Sequence, residues 1–284
     1  MDLFKETKFI MNKYNITANK GYVQNFLIDS NIVDEIIEKA DVGKDDLIIE
    51  IGPGLGNLTL PLLENAGKVI CIELDSKMIP ILNDRFKMYS NFELINDDVL
   101  KVDIKSLIFN SGLKQAKVVA NLPYYITTPI IMKLLEEHLD LESITVMVQK
   151  EVAERLTEKP GGKDTGAITY SINYYTDPKI IIDVPKECFV PSPKVDSSVI
   201  QLKVLKEPKV FVSDEKLFFK IIKCAFMQKR KTLVNSLTNS RLASKEFIEN
   251  MLNDLNLDIR IRAEQLTLED FKNITEYIIK NSPI

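Results

Sequence analysis

The stretch from Leu47 to Leu63 limits what this chain can become more than any other. Leu47-Ile48-Ile49-Glu50-Ile51 is an apolar run of strand length that leads straight into Gly52-Pro53-Gly54-Leu55-Gly56. A helical pattern follows through Leu58, Leu60, Leu62 and Leu63. A strand, a glycine-rich turn and a helix in this order open a nucleotide-binding unit, because the missing side chains let a ligand approach the backbone. The expected fold is therefore an open α/β sheet with its ligand at the carboxyl ends of the strands.

The spacing narrows the ligand. A dinucleotide fingerprint has its third glycine one position later, where this chain has Asn57. The form found here, with glycines at 52, 54 and 56 and an acid at Glu50, is more typical of a site for S-adenosylmethionine, which carries no phosphate. The second strand, Lys68-Val69-Ile70-Cys71-Ile72, ends in Glu73, followed by Asp75. A carboxylate placed about 20 residues after the first glycine can accept both ribose hydroxyls. The third strand, Phe92 to Ile95, ends in Asp97-Asp98, and the fourth, Val118-Val119-Ala120, ends in Asn121. Polar residues at the ends of three successive strands predict one ligand lying across the sheet edge.

Past the fourth strand comes Asn121-Leu122-Pro123-Tyr124-Tyr125. Pro123 cannot donate a ladder hydrogen bond and biases Leu122 away from helical geometry, which leaves the Leu122 carbonyl open to a ligand. An amide oxygen, a free carbonyl and an aromatic ring thus fall within four residues. Read alone, the same residues also describe a strand followed by a turn, with Asn121 as a local cap and Tyr124 in the core. The glycine turn and the two polar strand ends upstream favour the functional reading.

Bulk properties exclude several classes. A chain of 284 residues that is 45% apolar supports one large domain and a smaller one. No apolar run approaches the roughly 18 to 20 residues of a membrane span, and Met1-Asp2-Leu3-Phe4-Lys5-Glu6 lacks the layout of a signal peptide, so a cytoplasmic protein is expected. Cys71, Cys188 and Cys224 are far apart and His138 is the single histidine, which points to no disulfide framework, no metal and no serine hydrolase. Net charge is −4, but its distribution is uneven. Acids outnumber bases about two to one from Asp29 to Lys105, whereas Lys223 to Lys245 holds six cations and no acid. Such a local patch can meet a polyanion on an otherwise acidic protein; it also fits a solvated helix face.

In the rest of the chain, residues 1 to 20 form a mildly basic arm, expected to be mobile. Helices are predicted over 32–40, 129–139, 150–157 and 167–174, and strands over 144–148, 180–184 and 198–204, the last two as a terminal pair. Two prolines in the loop Phe189 to Ser197 should hold Phe189 out towards the active edge. After Lys206-Glu207-Pro208 the pattern is helical throughout, which predicts a first domain over 1–207 and a small all-α domain over 208–284.

Five segments in one order, Gln24-Asn25-Phe26-Leu27, Glu50 to Gly54, Asn121 to Tyr124, Phe189 to Ser197 and Phe226 to Leu233, closely resemble the bacterial small-subunit (16S) ribosomal RNA adenine N6,N6-dimethyltransferase family. The likeness covers almost the whole chain. It implies a Rossmann-like S-adenosylmethionine-dependent sheet with helices on both faces. It also implies dimethylation of the N6 amino group of two adjacent adenosines in the 3′-terminal hairpin loop of that RNA. By the same resemblance Asn25, Leu27, Gly52, Gly54, Glu73, Asp98 and Asn121 line the cofactor site. Asn121, Leu122, Pro123, Tyr124 and Phe189 serve the target adenine, and Lys229, Arg230 and Lys231 meet RNA. The implied partner is the assembling 30S particle, met by a monomer without metal or membrane, with S-adenosylhomocysteine as product. The family places glycine before Gln24, and this chain has Val23. Other readings are a large-subunit (23S) enzyme of the macrolide-resistance type and an RNA-binding or transcription-factor relative that keeps the fold. A nicotinamide dehydrogenase is disfavoured by Asn57.

Overall fold

In the computed structural model, residues 2–16, 25–228 and 230–281 are described, and the chain divides into two compact units, residues 1–154 with 177–204 and residues 155–176 with 205–284. In chain order the elements begin with α1 (Leu3–Lys13), β1 (Phe26–Leu27), α2 (Ser30–Lys39), β2 (Asp46–Ile51), α3 (Thr59–Asn65), β3 (Lys68–Glu73) and α4 (Ile79–Phe86). They continue with β4 (Phe92–Asn96), α5 (Ile104–Ser111), β5 (Gln115–Asn121), α6 (Thr127–Glu136), β6 (Ser143–Gln149), α7 (Lys150–Thr157) and α8 (Ala167–Tyr175). The last are β7 (Thr176–Val184), β8 (Phe189–Val190), β9 (Ser197–Val204), α9 (Glu215–Phe226), α10 (Leu233–Asn239), α11 (Lys245–Asp254) and α12 (Leu268–Asn281).

Seven strands form one sheet in the order β4-β3-β2-β5-β6-β9-β7. The first five in that order run parallel, and β9 is antiparallel to β6. All six residues of β2 are buried, as expected of a strand covered on both faces, and its near-continuous Leu/Ile composition follows from that. Register brings the strand ends together: Ile51 faces Ile72 of β3, and Ile49 faces Val118 of β5. The order reverses at β2, with β3 and β4 on one side and β5 and β6 on the other, so a crevice opens where the connections part. The fold is a Rossmann-like mixed sheet flanked by helices. As the sequence predicted, β7 and β9 are neighbours at its far side.

Two expectations are corrected. The first stretch is not simply an arm, because residues 3–13 form a helix, capped by the Asp2 carboxylate, that buries Thr7 and Ile10. Glu6 of α1 pairs with Arg85 at 2.6 Å, and the Tyr14 hydroxyl donates to Asp84 at 2.5 Å, so both ends of this segment are anchored to α4. Gln24 and Val23 lie outside the described residues. The second correction concerns the single boundary at 207. Residues 155–176 group with the C-terminal helices because Tyr170 and Tyr174 of α8 are buried in the second unit's core with Phe218 and Phe271. The Tyr170 hydroxyl there donates to the Leu266 carbonyl at 2.5 Å.

The glycine turn is packed as tightly as its residue types suggest. Gly56 has φ +85°, and a Cβ there would stand 2.4 Å from Cε2 of Phe86, a ring only 1% exposed. Gly56→Ala should therefore combine backbone strain with overpacking and lower the unfolding free energy by about 1–3 kcal/mol. Urea unfolding of parent and variant measures this; equal midpoints would show that Phe86 yields freely.

Candidate active site

The carboxyl ends of β2, β3 and β5 and the residues that follow them enclose an open cleft of about 1140 Å³, counting the solvent at its mouth. Its floor is the glycine turn. Gly52 and Gly54 have φ of +69° and +59°, a region that side chains disfavour, and a Cβ on Gly54 would press on the Phe26 ring at 3.2 Å. With no side chains at either position the backbone itself faces the cleft.

Glu73 ends β3 and is held by the backbone on both sides. Oε2 accepts from the Gly54 amide at 3.1 Å, and Oε1 accepts from the Asp75 amide at 2.8 Å. Burial raises its pKa above the usual carboxylate range, and these two backbone hydrogen bonds act the other way. Each oxygen keeps lone-pair capacity towards the cleft. Glu50, on β2, is also in the lining and is 2% exposed. It accepts from the Thr59 hydroxyl at 2.6 Å and the Cys71 thiol at 3.4 Å. Burial pushes its pKa up to about 7, against the pull of those donors. Asp75, Asp97 and Asp98 bring the lining carboxylates to five, with no lysine or arginine among the described lining residues. Such a cleft favours a cationic ligand and repels phosphate.

Across the crevice, β5 delivers Asn121. Its Nδ2 donates to the Asn25 carbonyl at 3.3 Å, and among the described residues nothing donates to its Oδ1. Leu122 donates its amide to the Met147 carbonyl at 3.3 Å, while its own carbonyl accepts no hydrogen bond among the described residues. The Pro123 carbonyl accepts from the Ile126 amide at 3.1 Å and turns the chain into α6. Tyr124 follows, half-buried in the cleft wall, with its hydroxyl 2.7 Å from Ser197 Oγ. Two free acceptors and a ring therefore stand on one wall.

The structure thus brings Asn25, Leu27, Gly52, Gly54, Glu73 and Asp98 to the same cleft as Asn121, Leu122, Pro123 and Tyr124. Phe189 is the exception. Its ring is 2% exposed in the apolar core and absent from the cleft lining, because β8 pairs antiparallel with β1, Leu27 facing Phe189. In the second unit, Arg230 and Lys231 are exposed between α9 and α10, whereas Lys229 lies outside the described residues.

Two residues escaped the sequence reading. Asn57 counted there only as a missing glycine, yet its Nδ2 donates to the Leu27 carbonyl at 2.7 Å and to Thr7 Oγ1 at 2.8 Å, tying β1 and α1 to the glycine turn. Ser197 reaches Tyr124 across 73 positions, a pairing that no local pattern encodes.

Glu50 makes stability depend on pH in a defined direction. The unfolded chain ionises this group near 4.5, whereas the folded chain keeps the proton to about 7. The folded state thus binds more protons between these values, and the stabilisation present below 4.5 is lost as pH rises through 7. Glu50→Gln should remove this slope, so that between pH 4.5 and 8 the parent loses on the order of 3 kcal/mol more than the variant, as an upper bound. Urea titrations at the two pH values test it, and parallel losses would overturn it.

Comparison with known proteins agrees with the geometry. The profile of the ribosomal RNA adenine dimethylase family matches residues 15–280. Two curated proteins called ribosomal RNA small subunit methyltransferase A are each 48% identical to this chain. The one from Lachnoclostridium phytofermentans aligns over 278 residues, 96% of each chain. The one from Clostridium acetobutylicum aligns over 275 residues, 96% of this chain and 98% of its own. Among solved structures, a dimethyladenosine transferase from Plasmodium falciparum superposes with TM-score 0.72 and 28% identity, covering 89% of this chain and 96% of its own. The 23S rRNA methyltransferase ErmE superposes with TM-score 0.68 over 90% of this chain and all of its own, and at 23% identity shares the fold. With a family profile spanning nearly the whole chain and relatives this similar end to end, the chain belongs to the ribosomal RNA adenine dimethylase family.

Proposed function

We propose that this enzyme dimethylates the N6 amino groups of two adjacent adenosines in the 3′-terminal hairpin loop of small-subunit (16S) ribosomal RNA, with S-adenosylmethionine as methyl donor. The observation that carries the reading is the pair of free acceptors, Asn121 Oδ1 and the Leu122 carbonyl, on a wall facing a carboxylate-lined cleft. When bound, S-adenosylmethionine supplies an activated methyl group on a positively charged sulfur. Five acidic side chains in the lining suit that charge and the ligand's ammonium group, and in this reading the Glu73 oxygens accept the ribose hydroxyls. Asn25, Leu27, Gly52, Gly54 and Asp98 complete the cofactor's surroundings in this reading.

The chemistry asks little beyond position and electrostatics. An adenine amino nitrogen is a poor nucleophile because its lone pair is delocalised into the ring. Asn121 Oδ1 and the Leu122 carbonyl would accept its two hydrogens, favour a pyramidal nitrogen and direct its lone pair into the cleft. The Asn25 carbonyl holds the Asn121 amide by its nitrogen, which keeps the oxygen turned to the substrate. Pro123 withholds a donor that would compete at this edge. Tyr124 offers an aromatic face in exchange for the stacking that the base gives up on leaving its helix. In this reading Phe189 supports β1 from the core.

The second unit would recognise RNA, since the acid-free segment from Lys223 to Lys245 provides cations that the cleft lacks. The partner is the assembling 30S particle, and the protein acts as a cytoplasmic monomer. Among the described residues no helix is long and apolar enough to cross a membrane. The small-subunit reading is preferred over the 23S alternative because the curated small-subunit relatives share 46–48% of residues across the chain, whereas ErmE shares 23%.

Unmethylated small subunits incubated with enzyme and cofactor should yield N6,N6-dimethyladenosine, read by nucleoside mass spectrometry, and large subunits should not. Asn121→Ala should slow product formation by roughly a hundredfold or more while thermal stability stays close to parent. Product on large subunits alone would move the enzyme to the resistance-type class, and a parental rate in Asn121→Ala would remove the amide from the mechanism.

Replacing Lys229, Arg230 and Lys231 by alanine should weaken subunit binding and leave cofactor affinity unchanged. The slope of log affinity against log salt should fall by about 0.7–0.9 for each phosphate that is no longer neutralised. A salt titration measures it, and an unchanged slope would make this segment an ordinary solvated surface.

A further inference from the structure

We infer that Ser197 is a positioning residue for methyl transfer: from the edge of the sheet its hydroxyl fixes the Tyr124 ring in the plane that receives the target base. The inference rests on the proposed stacking of Tyr124 on that base.

Tyr124 stands on a turn, just after Pro123, and is half-buried. A tyrosine side chain has two torsions to order, so its ring plane is set by what the ring and hydroxyl touch. The selection comes from the other side of the sheet's active edge. Ser197 Oγ lies 2.7 Å from the Tyr124 hydroxyl and is itself 0% exposed. Ser197 forms the last rung between β9 and β6, facing Gln149. Its neighbours are held too: the Asp196 carbonyl accepts from the Lys150 amide at 3.0 Å, and the Ser198 hydroxyl donates to Asp183 Oδ1 at 2.9 Å. The anchor is therefore part of the sheet, and the ring is tied to it at the end farthest from the backbone.

The residue types fit this role. A hydroxyl buried without a partner is costly, so a serine at a fully covered strand end requires one, and the Tyr124 hydroxyl is the partner it has. With that hydroxyl engaged, Tyr124 acts through the faces of its ring. The same hydrogen bond excludes rotamers that would swing the ring across the space in front of Asn121 or out to solvent. Stacking then becomes available without ordering the ring at the moment the base arrives. The second methyl transfer needs this more than the first, because a monomethylated amine has one hydrogen left to hold between two acceptors and relies more on the base plane.

The test is a double-variant cycle on the full chain with unmethylated small subunits as substrate. Ser197→Ala and Tyr124→Phe cut the same bond from opposite ends, so a folding failure in one leaves the other informative. Each should lower kcat by about 3- to 10-fold, the scale of one neutral hydrogen bond, with KM for subunits and cofactor affinity unchanged. The double variant should be no slower than either single one, and all three should accumulate N6-monomethyladenosine relative to the dimethylated product. A purely structural contact would move melting temperature without moving that product ratio. Tyr124→Ala separates stacking from positioning. If it is inactive while Ser197→Ala and Tyr124→Phe keep parental kcat and product ratio, stacking stands and the positioning role falls. Additive losses in the cycle also overturn it. If Tyr124→Ala itself works at the parental rate, both the stacking reading and this inference fail.

Discussion

Parallel pairing of β2 with β3 on one side and β5 on the other is the constraint on which the cleft depends. The registers bring the ends of these strands to one edge, so that the glycine turn, Glu73 and Asn121 meet without any long loop having to find its place. The pairing is pinned at the opposite edge by a buried ion pair, Lys117 of β5 with Asp46 of β2 at 2.9 Å, both side chains 3% exposed. Removing Lys117 would strand the Asp46 carboxylate in the interior, a cost of several kcal/mol, so this contact penalises any slip between the two strands that carry the site. A one-residue slip would also turn Asn121 to the other face of the sheet.

The glycine turn is the joint through which the rest of the first unit is attached. Arg85 of α4 donates to the Leu55 carbonyl inside the turn and also pairs with Glu6 of α1. Asn57, at the end of the turn, holds Thr7 of α1 and the carbonyl of Leu27 in β1. Phe86 of α4 fills the space left by the missing Cβ of Gly56. A turn dictated locally by its need for positive φ thus becomes the point to which one helix before it, one helix after it and a short strand are tied. It leaves Gly52 and Gly54 as the surface facing the cleft.

Much of this was legible in the sequence, and the exceptions share a cause. Glu73, Asn121 and, two residues past the end of β4, Asp98 could be read because each signal is local: an apolar run stops at polar residues, and the fold class supplies the common edge. Helices α9 to α12 could be read from periodicity for the same reason. Phe189 was misplaced because its setting is decided by pairing with Leu27, a contact across 162 positions that the prolines beside it do not reveal. The boundary drawn at 207 left out α8, since the spacing of Tyr170 and Tyr174 marks a buried helix face but not which core buries it. Ser197 and Asn57 went unnoticed because serine and asparagine are common in turns, and only three-dimensional partners separate a turn former from a tether. The opening helix was hidden by a basic composition that reads as a solvated arm until Glu6 and Thr7 are seen with their partners.

Charge divides the labour within the proposed reaction. The cleft carries five acidic side chains, of which Glu50 holds its proton up to about pH 7, and, among its described lining residues, no cation, so in the proposed reaction it attracts a sulfonium ligand and repels the phosphates of the substrate. That repulsion selects what can enter. A neutral base can be drawn in by stacking and by hydrogen bonds to Asn121 and Leu122, while the sugar-phosphate chain that carries it is kept at the rim. The same acidity makes long-range capture of RNA by the cleft unfavourable, and the proposed function assigns that task to the acid-free run from Lys223 to Lys245. Cofactor binding and RNA capture need opposite fields. In the proposed reaction the residues assigned to these two tasks fall in separate compact units.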